Sequence, residues 1–208
     1  MPTSKTLRSA VFIDRDGVIN ELVPDSITGR PESPLRSDDV RLLPGAAETV
    51  QRLHEAGYVL VGVSNQPAAA KGSILVKDLL SLHARVVSLL AESGAVLDDW
   101  RLCMHHPQGV VPGLAKVCSC RKPAPGLLLD AARELNLDLA TSWMIGDTDA
   151  DIGAGLAAGC KTILVDQPSS AHKRDGSANQ HWSARDLQQA ADIVLAVPHN
   201  ASEESPRR

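Results

Sequence analysis

Residues 11–20 read Val11-Phe12-Ile13-Asp14-Arg15-Asp16-Gly17-Val18-Ile19-Asn20, three apolar side chains followed at once by acidic ones. A short β-prone apolar run is typical of a buried parallel strand. Carboxylates at the end of such a strand lie where open α/β sheets bind ligands. Asp14 and Asp16 can then face a single metal-bound phosphate, one to attack it and the other to transfer a proton. The alternative is an ordinary exposed turn, since Asp and Gly are common turn residues.

The length and composition indicate a globular protein. The chain has 208 residues, of which 43% are hydrophobic and 22% charged. This length suits one α/β domain spanning 1–208, with a core at about 10–196 and polar tails at both ends. The net charge of −4 argues against nucleic acid and membrane partners. We find no apolar run of the roughly 20 residues that span a bilayer and no secretory signal, so we expect a cytoplasmic protein.

Apolar runs alternate with amphipathic segments along the chain. Strands are predicted at 11–14, 58–63, 100–104, 142–146 and 161–165, and helices at 46–56, 73–93 with Ser73 as N-cap, 125–135 and 149–158. A loop is expected at 21–43, a mobile segment at 166–183, a short helix at 184–191 and a weak strand at 193–196. This alternation predicts a mostly parallel sheet in a Rossmann-like three-layer sandwich without a large cap domain.

Polar residues follow the later strands as well. The hydroxyl of Ser64, with backbone N–H groups nearby, can bind phosphoryl oxygens without adding charge. Lys122 offers the cation that a phosphoryl dianion needs beside a carboxylate. Asp147 and Asp151 follow another strand, and hard carboxylate oxygens are the ligands that Mg²⁺ prefers.

The ordered set resembles the four motifs of the haloacid dehalogenase (HAD) superfamily. The resemblance implies that Asp14 is the nucleophile of an aspartyl-phosphate mechanism and Asp16 the general acid/base. Ser64 and Lys122 would complete the catalytic group. The family pattern gives Mg²⁺ the ligands Asp14, the Asp16 backbone carbonyl and Asp147, with Asp151 supporting them.

A second cluster combines three thiols with an imidazole. Cys103, His105, Cys118 and Cys120 form the ligand set of a closed structural zinc site, which predicts a zinc loop at 103–120. His106 is an alternative ligand. Four protein ligands leave no position for water, so the zinc is expected to be structural rather than catalytic.

The zinc loop runs into Cys120-Arg-Lys-Pro-Ala-Pro-Gly126 and resembles the D-glycero-D-manno-heptose 1,7-bisphosphate 7-phosphatase family. The related histidinol-phosphate phosphatases have a similar loop. The resemblance implies that Arg121 helps to recognise substrate, and we expect Asn65, Gln66 and Thr148 to contact it too. Two residues depart from the family pattern. Lys71 stands where Arg is usual, and Thr148 where Lys is frequent.

These patterns predict a phosphoric monoester hydrolase that uses Mg²⁺ to hydrolyse a sugar phosphate. The leading substrate is D-glycero-D-manno-heptose 1,7-bisphosphate, which would give heptose 1-phosphate. The alternatives are a histidinol-phosphate phosphatase, another small-molecule phosphomonoesterase, or a non-catalytic binding protein on the same scaffold. A monomer is expected, since no surplus apolar helix is evident.

Overall fold

A computed structural model describes residues 7–197, so most of the predicted polar tails lies outside the described residues. None of the helices in that range is long and apolar enough to cross a lipid bilayer. In chain order the main elements are β1 (Ala10–Ile13), β2 (Val23–Pro24), β3 (Pro31–Glu32), α1 (Ala46–Glu55), β4 (Val59–Asn65), α2 (Val76–Glu92), β5 (Asp99–Cys103), α3 (Gly126–Leu135), β6 (Trp143–Gly146), α4 (Asp149–Ala158), β7 (Lys161–Val165), β8 (Trp182–Ala184) and α5 (Leu187–Ala196).

The main sheet has six strands in the order β5-β4-β1-β6-β7-β8. Every neighbouring pair in it is parallel. β1 lies between β4 and β6 and is buried along its whole length. The carboxyl ends of these three strands therefore meet at one edge, and the predicted parallel sheet is confirmed.

Successive residues of β1 enter two different cores, as the period of a strand requires. Val11 and Ile13 pack into the cluster formed with α1, α2 and α5. Ala10 and Phe12 pack into the other cluster, which contains residues of α3 and α4. The sheet thus has helices on both faces, and the predicted three-layer architecture is confirmed.

The predicted loop at 21–43 contains a small hairpin. Its strands β2 and β3 pair antiparallel, with Val23 opposite Glu32 and Pro24 opposite Pro31. Each strand has only two residues. Within residues 7–197 no larger insertion covers this edge of the sheet, in agreement with the predicted absence of a large cap.

Two local predictions need correction. The N-cap of α2 is Leu75 rather than Ser73, and it has no side-chain capping bond. The predicted strand at 193–196 lies within α5, where Leu187, Ala190 and Val194 are buried at helical spacing. The segment 166–183 contains a 3-10 helix at Pro168–Lys173, and β8 begins at Trp182, whereas the mobility expected of this segment stays a prediction.

Truncation of Leu60 should test the packing of the sheet. Leu60 on β4 is fully buried, whereas Leu75 is 62% exposed. We expect Leu60→Ala to lower the free energy of unfolding by about 2–5 kcal/mol, because the substitution leaves a cavity in the core. Leu75→Ala, the matched control, should change it by less than about 0.5 kcal/mol. Urea denaturation of both variants makes the comparison, and equal losses would contradict the assigned burial.

Candidate active site

A cleft of about 320 Å³ lies at the carboxyl edge of the sheet. It collects side chains from the ends of β1 and β4, from the loop that precedes α3, and from the start of α4. Of the predicted site residues, the cleft is lined by Asp14, Asp16, Ser64, Asn65, Arg121, Lys122, Thr148 and Asp151. The structure therefore brings together groups that are up to 137 residues apart, from Asp14 to Asp151.

Lys122 connects the two sides of this cleft. Its ammonium group donates a hydrogen bond of 2.8 Å to Asp14 Oδ1 and another of 2.7 Å to the carbonyl oxygen of Val63. It also forms an ion pair of 2.5 Å with Asp151 Oδ1. Burial alone would lower the pKa of Lys122, but the charges of Asp14 and Asp151 outweigh it, so the pKa lies above its usual value. The side chain is therefore a permanent cation.

Asp14 has an unusual electrostatic environment. Burial and the neighbouring Asp151 carboxylate raise the pKa of Asp14 to about 6, while Lys122 opposes that shift. The backbone N–H of Asp14 donates to the carbonyl oxygen of Ile145 at 2.9 Å, which fixes the strand end beside β6. Such a perturbed, partly shielded carboxylate in a cleft is a candidate for catalysis.

Asp147 is a further buried acid of this site. Within the described chain, neither of its carboxylate oxygens has a hydrogen-bond partner. Burial, together with the charges of Asp14 and Asp151, raises the pKa of Asp147 well above its usual value. Carboxylate oxygens of these three acids lie within 4.8 Å of one another. Burial of three acids so close together is costly unless a cation is bound, and oxygen ligands suit Mg²⁺.

Gly17 makes room for this arrangement. Its φ of +92° is in the left-handed region, which favours glycine. A Cβ atom at this position would lie 2.1 Å from Asp147 Oδ2. The glycine after the two acids of the β1 segment is therefore required by the close approach of the Asp147 carboxylate.

The Asp16 carboxylate is fully engaged by its neighbours. Arg15 donates to both of its oxygens, with a shortest distance of 2.9 Å. Gln66 Nε2 donates to Oδ2 at 2.6 Å, and Asn20 Nδ2 to Oδ1 at 2.9 Å. Burial would raise the pKa of Asp16, but the charge of Arg15 and these hydrogen bonds lower it. Sequence reasoning missed Arg15, although an arginine between two acids beside an apolar run was a signal.

The predicted substrate contacts also make contacts within the protein. Asn65 Nδ2 donates to the backbone carbonyl of Lys122 at 2.9 Å, and the Lys122 N–H donates to Asn65 Oδ1 at 3.1 Å. Gln66 also donates to Ser64 Oγ at 2.9 Å. The Thr148 hydroxyl donates to Asp151 Oδ2 at 2.6 Å within the capping box of α4. These contacts hold side chains of the cleft in place, and direct contact with substrate stays a prediction.

Three further polar residues line the cleft that no motif indicated. Glu32 and Ser33 lie at the end of the hairpin and just after it, and Lys173 ends the 3-10 helix that follows β7. Lys71, which follows β4, lines the cleft as well. Arg121 is in the same wall, where Nη1 donates to the carbonyl oxygen of His105 at 3.4 Å.

The sulfur cluster lies beside this wall. The three sulfur atoms are 3.2–3.6 Å apart, and His105 Nδ1 lies 3.3 Å from Cys120 Sγ and 3.8 Å from Cys103 Sγ. Four ligands at about 2.0–2.3 Å from a tetrahedral metal have similar mutual separations. His106 is outside the cluster, and its Nδ1 accepts from the N–H of Gln108. The geometry thus favours His105 as the fourth ligand.

Comparison with known proteins finds HAD-like hydrolases and heptose bisphosphate phosphatases among the proteins similar to this chain. The HAD-hydrolase-like family model matches residues 119–190. A D-glycero-beta-D-manno-heptose-1,7-bisphosphate 7-phosphatase of Yersinia pestis is 36% identical, with 90% of this chain and 94% of that protein covered. The D-glycero-D-manno-heptose-1,7-bisphosphate 7-phosphatase of Thermosynechococcus vestitus is 39% identical, with 96% and 99% covered. The D,D-heptose 1,7-bisphosphate phosphatase of B. bronchiseptica, solved with magnesium and phosphate, has a TM-score of 0.75 at 30% identity and covers 90% and 98%.

The parallel sheet, the acids at its edge and these matches define a HAD-like hydrolase. This confirms the class that the four motifs predicted. Within that class, the chain belongs to the family of the D-glycero-D-manno-heptose-1,7-bisphosphate 7-phosphatases.

Removal of the Lys122 charge should destabilise the protein as well as the site. Lys122→Met leaves Asp14 and Asp151 buried without their cation, so we expect the free energy of unfolding at neutral pH to fall by about 3–5 kcal/mol. Lys77→Met, on the exposed side of α2, serves as the control and should change it by less than about 0.5 kcal/mol. A loss for Lys122→Met no larger than that of the control, measured by urea denaturation, would contradict the described ion pairs.

Proposed function

We propose that this phosphoric monoester hydrolase removes the 7-phosphate of D-glycero-D-manno-heptose 1,7-bisphosphate and releases heptose 1-phosphate. The family supports the substrate. The observation that carries the chemistry is the pairing of Lys122 with Asp14 beside the partnerless Asp147 carboxylate. A cation that contacts the nucleophile and a buried acid that needs a metal are what phosphoryl transfer requires.

In the first step an Asp14 carboxylate oxygen attacks phosphorus, and the bond from phosphorus to the sugar oxygen breaks. Lys122, already 2.8 Å from Asp14, offsets the charge as the dianion approaches. Asp16 gives its proton to the leaving sugar oxygen. Because Arg15 holds Asp16 as a carboxylate, we propose that Asp16 leaves Arg15 and takes up a proton before this step.

In the second step water attacks the phosphorus of the aspartyl-phosphate, and the bond to Asp14 breaks. Asp16 accepts the proton of that water, which restores the protonated carboxyl group that began the first step. The Ser64 hydroxyl, which accepts a hydrogen bond from Gln66, can contact the phosphoryl oxygens from β4. Inorganic phosphate then leaves the cleft.

The acids suit Mg²⁺ as the cofactor. The Asp14 and Asp147 carboxylates and the Asp16 backbone carbonyl are the proposed ligands, and Asp151, within 4.8 Å of the same group, supports them. When bound, Mg²⁺ neutralises phosphoryl charge and orients the phosphate for attack. The partnerless oxygens of Asp147 support this assignment, since buried carboxylates without partners are rare in proteins.

The thiol cluster suits Zn²⁺ as a structural ion. Cys103, His105, Cys118 and Cys120 provide soft ligands with no open position, so no catalytic role is proposed for this ion. Bound metal would fix the loop that carries Arg121 into the cleft. That the enzyme acts as a cytoplasmic monomer, folded as one domain, stays a prediction.

Asp14→Asn should abolish turnover. The amide cannot attack phosphorus, so we expect phosphate release from heptose 1,7-bisphosphate to fall by about a thousandfold or more. The exposed Asp192, which pairs with Arg52 far from the cleft, provides the control variant Asp192→Asn, and its turnover should stay within about twofold. Circular dichroism checks that both variants are folded.

Near-normal turnover by Asp14→Asn would overturn the assignment of the nucleophile. The same phosphate-release assay should be run with and without Mg²⁺ and on histidinol phosphate. The highest kcat/KM is expected for the heptose bisphosphate, and activity that survives removal of divalent cations would contradict the proposed cofactor.

Cys120→Ser should remove the structural ion. We expect about one zinc per chain in the unchanged protein and much less in the variant, with a lower melting temperature, because metal binding contributes to folding free energy. Cys160→Ala, outside the cluster, should keep the zinc. Mass spectrometry of metal content makes the comparison, and equal zinc content in both variants would contradict the assigned ligands.

A further inference from the structure

One ion pair crosses the mouth of the cleft. Lys173 Nζ lies 2.8 Å from Glu32 Oε2, and His172 Nε2 lies 3.6 Å from Oε1 of the same carboxylate. Glu32 belongs to β3 of the hairpin that follows β1, and Lys173 ends the 3-10 helix after β7. Glu32 and Lys173 both line the cleft that contains Asp14.

The cations of the cleft differ in what already neutralises them. Among the described residues, Lys71, Arg121, Lys122 and Lys173 line it. Lys122 is neutralised by Asp14 and Asp151, which are themselves part of the reaction chemistry. Within residues 7–197, Lys173 pairs directly with the side chain of Glu32, which is 49% exposed, and its charge also acts on the buried Asp147 carboxylate. A carboxylate in contact with water at a cleft mouth can be displaced at low cost by a stronger anion.

The backbone near Lys173 is well anchored. Ser170 is fully buried, and its hydroxyl contacts the carbonyl oxygens of Asp147 at 3.3 Å and Gln167 at 3.0 Å. The 3-10 helix is thus tied to Asp147, which follows β6 and is itself a proposed metal ligand. The Lys173 side chain itself is only 25% exposed. An anchored, partly buried cation loses little conformational entropy when it binds an anion.

We propose that Lys173 is a specificity residue that binds the phosphate which is not hydrolysed, and that this phosphate displaces Glu32. The inference rests on the proposed function, because it needs a substrate with two phosphates. A phosphate dianion carries more charge than a carboxylate and attracts Lys173 more strongly. While the cleft is empty, Glu32 keeps the ammonium group in place and competes with weaker anions.

A purely structural role for the Glu32–Lys173 pair predicts different effects of the two substitutions on substrate binding. If the ion pair only fastened the hairpin over the cleft, loss of either partner would impair every substrate in the same direction. If Lys173 binds phosphate, loss of Lys173 weakens binding and loss of Glu32 strengthens it. The two variants therefore separate the two roles without knowledge of the bound geometry.

The experiment measures kcat and KM of Lys173→Met, Lys173→Arg and Glu32→Gln on heptose 1,7-bisphosphate and on heptose 7-phosphate. We expect Lys173→Met to raise KM for the bisphosphate about tenfold with kcat within about twofold, and to leave KM for the monophosphate unchanged. Lys173→Arg should keep KM within about threefold, because the charge is retained. Glu32→Gln should lower KM for the bisphosphate by about two- to threefold. Lys77→Met is the control.

Three outcomes would overturn the proposal. These are an unchanged KM in Lys173→Met, equal changes on the two substrates, and a rise in KM for Glu32→Gln as large as that for Lys173→Met. Should Lys173→Met unfold, Glu32→Gln decides alone, because a lower KM for the bisphosphate supports the proposal and an unchanged or higher KM overturns it. Failure of the unchanged protein to hydrolyse the bisphosphate is a separate result, since it contradicts the proposed function itself.

Discussion

The buried ammonium group of Lys122 is the interaction on which the site depends. It contacts Asp14 after β1, the carbonyl of Val63 in β4 and Asp151 in α4, so three elements of the sheet edge converge on one cation. Without that charge, Asp14 and Asp151 would be buried like charges whose repulsion favours protonation. With it, Asp14 can be ionised beside an incoming phosphate. The parallel sheet provides the meeting point, because β1 lies between β4 and β6.

The site is arranged for binding rather than for its own stability. Asp147 is buried with unpaired oxygens, and its closeness to Asp14 is possible only because Gly17 has no side chain. These features cost folding free energy that a bound cation returns. Asp16 differs, because Arg15, Asn20 and Gln66 satisfy it within the protein. Asp147 thus needs a bound cation, whereas Asp16 must leave its partners to react.

The cluster of acids at the carboxyl edge of the sheet was predictable because local sequence patterns determine it. Apolar runs predicted the strands that carry Asp14 and Asp147, and parallel pairing then brings their ends together. The cysteine spacing likewise predicted a cluster that the structure brings together. The prediction of a strand at 193–196 was wrong because a short apolar run fits a helix and a strand equally well. Burial of Ala190 and Val194 at helical spacing favours the helix. The Glu32–Lys173 pair was beyond sequence reasoning, since neither residue lies in a motif and 141 positions separate them.

The covalent role of Asp14 distinguishes this account from one in which water attacks the phosphate in a single step. Each in-line displacement inverts the configuration at phosphorus, so two successive displacements restore it. The stereochemical course can be measured with heptose 1,7-bisphosphate whose transferred phosphoryl group is made chiral with sulfur and oxygen isotopes, in isotopically labelled water. Net retention in the released thiophosphate is the predicted result, and net inversion would contradict the aspartyl-phosphate intermediate.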